Sequence, residues 1–120
     1  MNGWIGAELR RLRNTVLWSW RGWCSAWRNE KSIRQWSLVN LASAALAFAV
    51  PLTGGERALI LALGLMILVA ELVNTAIEET IDYISTEHDP RAGRAKDAGS
   101  AAVAVAAIAG GVAWLVILLG

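Results

Sequence analysis

The chain has 120 residues, 56% of them hydrophobic, with eleven Lys/Arg against ten Asp/Glu and a net charge of +1. A mean hydropathy of +0.45 is too apolar for a soluble domain of this size, because so small a fold cannot bury that much apolar surface. Cys24 and His88 are the single cysteine and the single histidine, which excludes a disulfide framework, a thiolate metal cluster and a histidine-based metal site.

The N-terminal region comes first. Arg10, Arg11 and Arg13 interrupt any apolar stretch of a signal peptide, so the mature chain is expected to begin near Met1. Ile5, Leu9, Leu12, Val16, Trp20, Trp23 and Trp27 recur at spacings of 4, 3, 4, 4, 3 and 4, which places them on one face of an α-helix. Arg10, Arg13, Arg21 and Arg28 lie mostly off that face. The pattern predicts an amphipathic helix over 4–35 that lies in the membrane interface, its tryptophans at headgroup depth.

Three apolar stretches follow, each a candidate span, since a helix crosses a bilayer in about 20 residues. The first, 36–52, is short but uncharged; the second has its apolar heart at 58–77 within a helix over 56–82; the third runs over 97–119. PLTGGE at 51–56 reads as a tight turn, and YISTEHDPRAGRAK at 83–96 as a longer polar loop. Cations gather in the N-terminal region and in that loop. The positive-inside rule then puts both in the cytoplasm and the C-terminus outside. The fold class is an all-α membrane protein, one domain over 1–120, with a surface helix and three transmembrane helices. Small residues at 101–111, AAVAVAAIAGG, suit close helix packing.

The second span carries an anomaly, ELVNTAIEE at 71–79. On a helix Asn74 lies about 60° from Glu71, and Glu78 and Asp82 lie about 20° to either side of it, so the four make one polar stripe. Glu79 falls about 80° away and reads as solvated. A charge at the bilayer centre costs about 2.5–3.5 kcal/mol on insertion scales, so a functional role is the default reading of Glu71. A semi-buried carboxylate suits a general base or a proton carrier. Glu78 sits near the interface, where a carboxylate suits Mg²⁺, and Glu30 at the end of the surface helix is a candidate second ligand. In GRAKDAGSAA at 93–102, Lys96 is a candidate phosphate contact, Asp97 a candidate helix cap, and Ser100 a candidate hydrogen-bonding partner for another helix or a lipid headgroup. No GxxxxGK[ST] loop and no HRD or DFG signature is present.

ELVNTAIE at 71–78 and GRAKDAGSAAV at 93–103, with WSWRGWCSAWRNE at 18–30 and IRQ at 33–35, resemble the small prokaryotic diacylglycerol kinases over about residues 18–114. The resemblance implies integral-membrane homotrimers of the bacterial inner membrane with active sites between subunits. It implies transfer of the ATP γ-phosphoryl group to the hydroxyl of diacylglycerol, giving phosphatidic acid, and no nucleic-acid partner. Glu71 matches the family's general base, and Glu30 and Glu78 match its Mg²⁺ ligands. Arg11, Trp18, Glu87, His88, Asp89, Lys96 and Asp97 match positions near the nucleotide, and Asn74 a polar active-site position. Arg34, Gln35, Ser100 and Trp114 match positions on the lipid side. Trp18 stands where many relatives carry tyrosine, Ile33 replaces an aromatic, and Trp36 follows where an acidic residue is usual. These departures bear on lipid choice, and undecaprenol, the acceptor of a related branch, is the alternative substrate. GRAKDAGSAA looks more like the diacylglycerol branch. Two readings outside this class are a proton or cation conduit along Glu71 and Asn74, and a non-catalytic membrane scaffold.

Overall fold

A computed structural model describes residues 2–120; Met1, the expected start of the mature chain, lies outside them. Four helices follow in order, α1 (Asn2–Asn29), α2 (Lys31–Ala49), α3 (Gly54–Ile84) and α4 (Pro90–Leu119), and no strand occurs among the described residues. The molecule measures 51 × 49 × 23 Å. Since α3 alone is about 46 Å long at 1.5 Å per residue, the second long dimension requires α1 to project sideways from the bundle of the other three. Only its C-terminal part engages them. Ala26 is buried there, and Trp23 and Trp27, their rings 6.0 Å apart, line a groove with Ser37, Leu41 and Leu65.

The break between α1 and α2 is the single residue Glu30, in extended backbone at φ −116°, ψ 110°. Residues 31–35, expected to finish the surface helix, instead open α2. No glycine or proline marks this boundary, so periodicity runs through it. Arg34 secures it by donating to the carbonyls of Trp27 and Arg28, acceptors that the end of α1 leaves without helical partners.

The PLTGGE stretch is partly helix. Thr53 is the N-cap of α3: its Oγ1 accepts from the Glu56 N–H at 3.1 Å, and Glu56 Oε1 accepts from the Thr53 N–H at 2.9 Å. This reciprocal capping box puts Gly54 and Gly55 in the first helical turn. Arg57 then reaches back, its Nε donating to the Ala47 carbonyl at 2.9 Å and Nη2 to the Leu52 carbonyl at 3.4 Å, with its guanidinium 5.1 Å from the Phe48 ring.

The expected polar loop at 83–96 is also mostly helical, and the connection is only residues 85–89. Asp89 caps α4 by accepting from the Arg91 N–H at 2.8 Å, with Pro90 in the first turn. Asp–Pro is itself a helix start. Asp97, expected as the cap, is therefore about two turns inside the helix.

Two helices, α3 and α4, are long and apolar enough to cross a membrane, and only 17% and 11% of their most apolar stretches is buried. Leu65, Met66, Val105 and Ile108 lie exposed on them. A soluble core helix would be covered instead; an open apolar surface of this extent suits lipid or other subunits. The uncharged part of α2, residues 36–49, is about 21 Å long, short of the roughly 30 Å hydrocarbon core. Ala47, Ile60 and Ala113 form the buried centre, with Leu52, Leu63 and Trp114 around it.

Candidate active site

The polar stripe of α3 faces inward at its base and opens toward the chain's 85–89 connection. Glu71 retains 6% of its surface and is the buried charged residue of the described chain; no cation pairs with it among the described residues. One turn on, Asn74 Nδ2 donates to Glu78 Oε1 at 3.3 Å. Glu78 is half-buried. One turn further, Asp82 accepts from Lys96 Nζ of α4 at 2.7 Å. The expected helical register is thus the observed one, and α4 supplies the wall opposite it.

Glu30, the half-buried residue of the α1–α2 break, stands at the packed end of α1. Glu30 and Glu78 have no ion-pair partner among the described residues. No group of three or more metal-binding side chains occurs among those residues. Carboxylates without an ion-pair partner suit Mg²⁺, which takes one or two protein oxygens and completes its shell with water and phosphate.

The 85–89 connection borders a second feature, a hollow of about 560 Å³ lined by Glu87, His88, Asp89 and Arg91 over Ile81 and Ile84. The Arg91 side chain, with its backbone N–H, holds the Asp89 carboxyl below its ordinary value. Lys96 pairs with Asp82, and an ammonium with three donors can keep Asp82 and still meet a phosphate.

Other expected residues stand apart in the single chain. Arg11 and Trp18 are exposed on the projecting part of α1; Arg11 pairs with Glu8 at 3.3 Å and lies about 27 Å along the helix from its packed end. Arg34 caps α1, and Gln35 is exposed. Asp97 and Ser100 are exposed on faces of α4 turned from Gly99, which meets Asn74. Trp114 is about 22 Å along α4 from Gly99, where its Nε1 donates to Ser43 Oγ at 2.8 Å.

Sequence reading missed several polar placements. Asn40 sits against Gly64, and a Cβ at Gly64 would collide with its Oδ1. Asn40, Ser43 and Trp114 share a cleft of about 410 Å³ with Trp36 and Ile67, the last one turn from Glu71. Asparagine and serine inside an otherwise apolar run were the available signal.

The apolar helices and the acidic stripe define a helical membrane protein with a polar stripe on α3. The prokaryotic diacylglycerol kinase profile matches residues 17–118. Similar proteins include a diacylglycerol kinase of Pseudomonas aeruginosa, 43% identical over 93% of this chain and 91% of the relative. Another, from Escherichia coli, is 35% identical over 90% and 88%. An undecaprenol kinase of Bacillus subtilis is 34% identical over 93% and 91%. The chain belongs to the prokaryotic diacylglycerol kinase family and is a kinase, with ATP as its phosphoryl donor.

Proposed function

We propose that this kinase phosphorylates diacylglycerol to phosphatidic acid at the cytoplasmic face of the bacterial inner membrane. The observation that carries the reading is the burial of Glu71 on the same helix face as the Asn74–Glu78 pair. That face runs from apolar depth, where a lipid hydroxyl arrives, to the water side, where a nucleotide arrives.

In the proposed reaction Glu71 accepts the proton of the lipid hydroxyl as its oxygen attacks the γ-phosphorus. The new O–P bond forms as the bond to the ADP oxygen breaks, and ADP leaves. Phosphoryl transfer asks a protein for positioning and charge neutralisation more than for covalent chemistry. Glu30 and Glu78 would hold the metal, which when bound would supply positive charge against the phosphates. Lys96 adds a further positive charge, and Asn74 orients Glu78. Glu87, His88 and Asp89 border the nucleotide.

The reading carries a topology with it. The N-terminus is cytoplasmic, α1 lies on the membrane surface, and α2, α3 and α4 are the three spans. Arg11, Trp18, Asp97, Ser100 and Trp114 do not converge within one chain. A homotrimer with its sites between subunits gives them a route to a common site. Arg34 and Gln35, near the surface helix, and Ser100 and Trp114 belong to the lipid side.

Undecaprenol is the second reading, favoured by the Bacillus subtilis relative; the higher identity to the Pseudomonas aeruginosa diacylglycerol kinase supports the first. A conduit or scaffold has no support from the family. The test offers both lipids, side by side, to the purified protein with Mg²⁺ and ATP labelled at the γ-phosphate. Label in phosphatidic acid is the expected result. Label mainly in undecaprenyl phosphate overturns the substrate while keeping the chemistry.

A further inference from the structure

Asn74 has one unexplained atom. Its Oδ1 is buried and has no hydrogen-bond partner among the described residues, although its Nδ2 donates to Glu78. A buried amide oxygen left alone is unfavourable, and exchanging the two amide ends would set an oxygen against a carboxylate that can only accept. The orientation is therefore fixed by Glu78, and something must tolerate the oxygen on the other side. That something is Gly99 of α4. A Cβ there would collide with Asn74 Oδ1, while Asn74 Cγ at 3.4 Å and Ile77 Cδ1 at 3.5 Å would be ordinary contacts. The place a Cβ would take is occupied in glycine by a Cα hydrogen, so Oδ1 meets a Cα–H, a weak acceptor contact that recurs between closely packed helices.

We propose that Gly99 is a positioning residue for the metal site: it seats Asn74 so that Nδ2 aims at Glu78 and fixes that carboxylate's orientation. The proposal rests on the reading of Glu78 as a metal ligand. Gly64 is the natural control. It seats Asn40 in the same way one helix pair over, about 21 Å along α3 from Glu78.

The experiment measures Mn²⁺ binding by electron paramagnetic resonance in the purified protein with a non-hydrolysable ATP analogue, alongside thermal unfolding. Loss of the bound Mn²⁺ signal in Glu78→Gln establishes the ligand. Gly99→Ala is then expected to weaken Mn²⁺ binding about 10- to 100-fold, the range for groups that orient a ligand, while Gly64→Ala changes the unfolding midpoint and leaves Mn²⁺ affinity unchanged. Wild-type affinity in Gly99→Ala overturns the positioning role and leaves the metal reading standing. An equal loss in Gly64→Ala assigns the effect to general packing and also overturns it. Unchanged binding in Glu78→Gln overturns the metal reading and the proposal with it. Should Gly99→Ala fail to fold, Asn74→Ala/Gly99→Ala removes the collision. It must fold and bind Mn²⁺ as Asn74→Ala alone does; any further loss, or failure to fold, contradicts the seat.

Discussion

Arg57 shows how much one side chain can organise at a helix turn. It satisfies two carbonyls, those of Ala47 and Leu52, and lies over Phe48. Those acceptors are partly withdrawn from water, and an acceptor left unpaired costs about 1–3 kcal/mol. Arg57→Ala is expected to lower stability by about that amount, read as a fall in the thermal unfolding midpoint in detergent; Arg57→Lys cannot reproduce the fork of donors and should recover only part of it. Trp114→Phe removes the N–H bonded to Ser43 along with part of the indole, and a double-mutant cycle isolates the hydrogen-bond share. About 1 kcal/mol is the expected loss, the ordinary net value of a neutral hydrogen bond, measured against Ser43→Ala in a double-mutant cycle. Both read the packing of half-buried side chains rather than the carboxylate chemistry.

At the scale of elements, the helix starts decide where the site residues sit. Thr53→Ala breaks the capping box of α3 and is expected to cost about 1 kcal/mol by thermal unfolding. Asp89 fixes the start of α4 eight residues before Asp97. Its carboxyl is held below its ordinary value of 3.8, chiefly by the Arg91 side chain. A group depressed in the folded state stabilises fully above its unfolded pKa and loses that contribution as pH falls through the folded value. The cap is therefore intact at neutral pH and fails only below about pH 4. Asp89→Asn, which caps without charge, should flatten the acid limb of the unfolding curve relative to wild type. These starts also explain what could be read in advance. The stripe of Glu71, Asn74, Glu78 and Asp82 was legible because a helix period needs only spacing. The Glu30 break was not, since nothing in the residues 29–31 opposes helix and Arg34 stabilises the break from beyond it. Asp97 reads as a cap because apolar residues begin just after it, but Asp89-Pro90 is the stronger start signal and the polar turns between them are helix. The glycine seats at positions 64 and 99 depend on which helix faces which, and spacing within one helix does not carry that.

For the whole molecule, the open apolar flanks of α3 and α4 and the projecting α1 pose the question of what surrounds them. An apolar surface of that extent suits lipid or other subunits. The separation of Arg11 from Glu71 in one chain gives the proposed trimer a direct test. Arg11→Ala and Glu71→Gln, each expected to be inactive alone, are co-expressed. In mixed oligomers an interfacial site can take Arg11 from one subunit and Glu71 from another. Recovered lipid kinase activity supports shared sites; no recovery, with mixed oligomers demonstrated by two affinity tags, places each site within a single chain. Detergent-corrected mass should correspond to three copies of the 12.9 kDa chain.

The central assignment is Glu71 as the group that takes the lipid hydroxyl proton. The most direct measurement compares the turnover number of wild type and Glu71→Gln with saturating diacylglycerol, Mg²⁺ and ATP, in preparations with matched thermal unfolding and matched binding of a non-hydrolysable ATP analogue. General-base catalysis contributes about 10²–10⁴-fold, so a fall in turnover of that size with nucleotide binding unchanged is the expected result. Turnover within a few-fold of wild type in a folded, nucleotide-binding Glu71→Gln protein would contradict it.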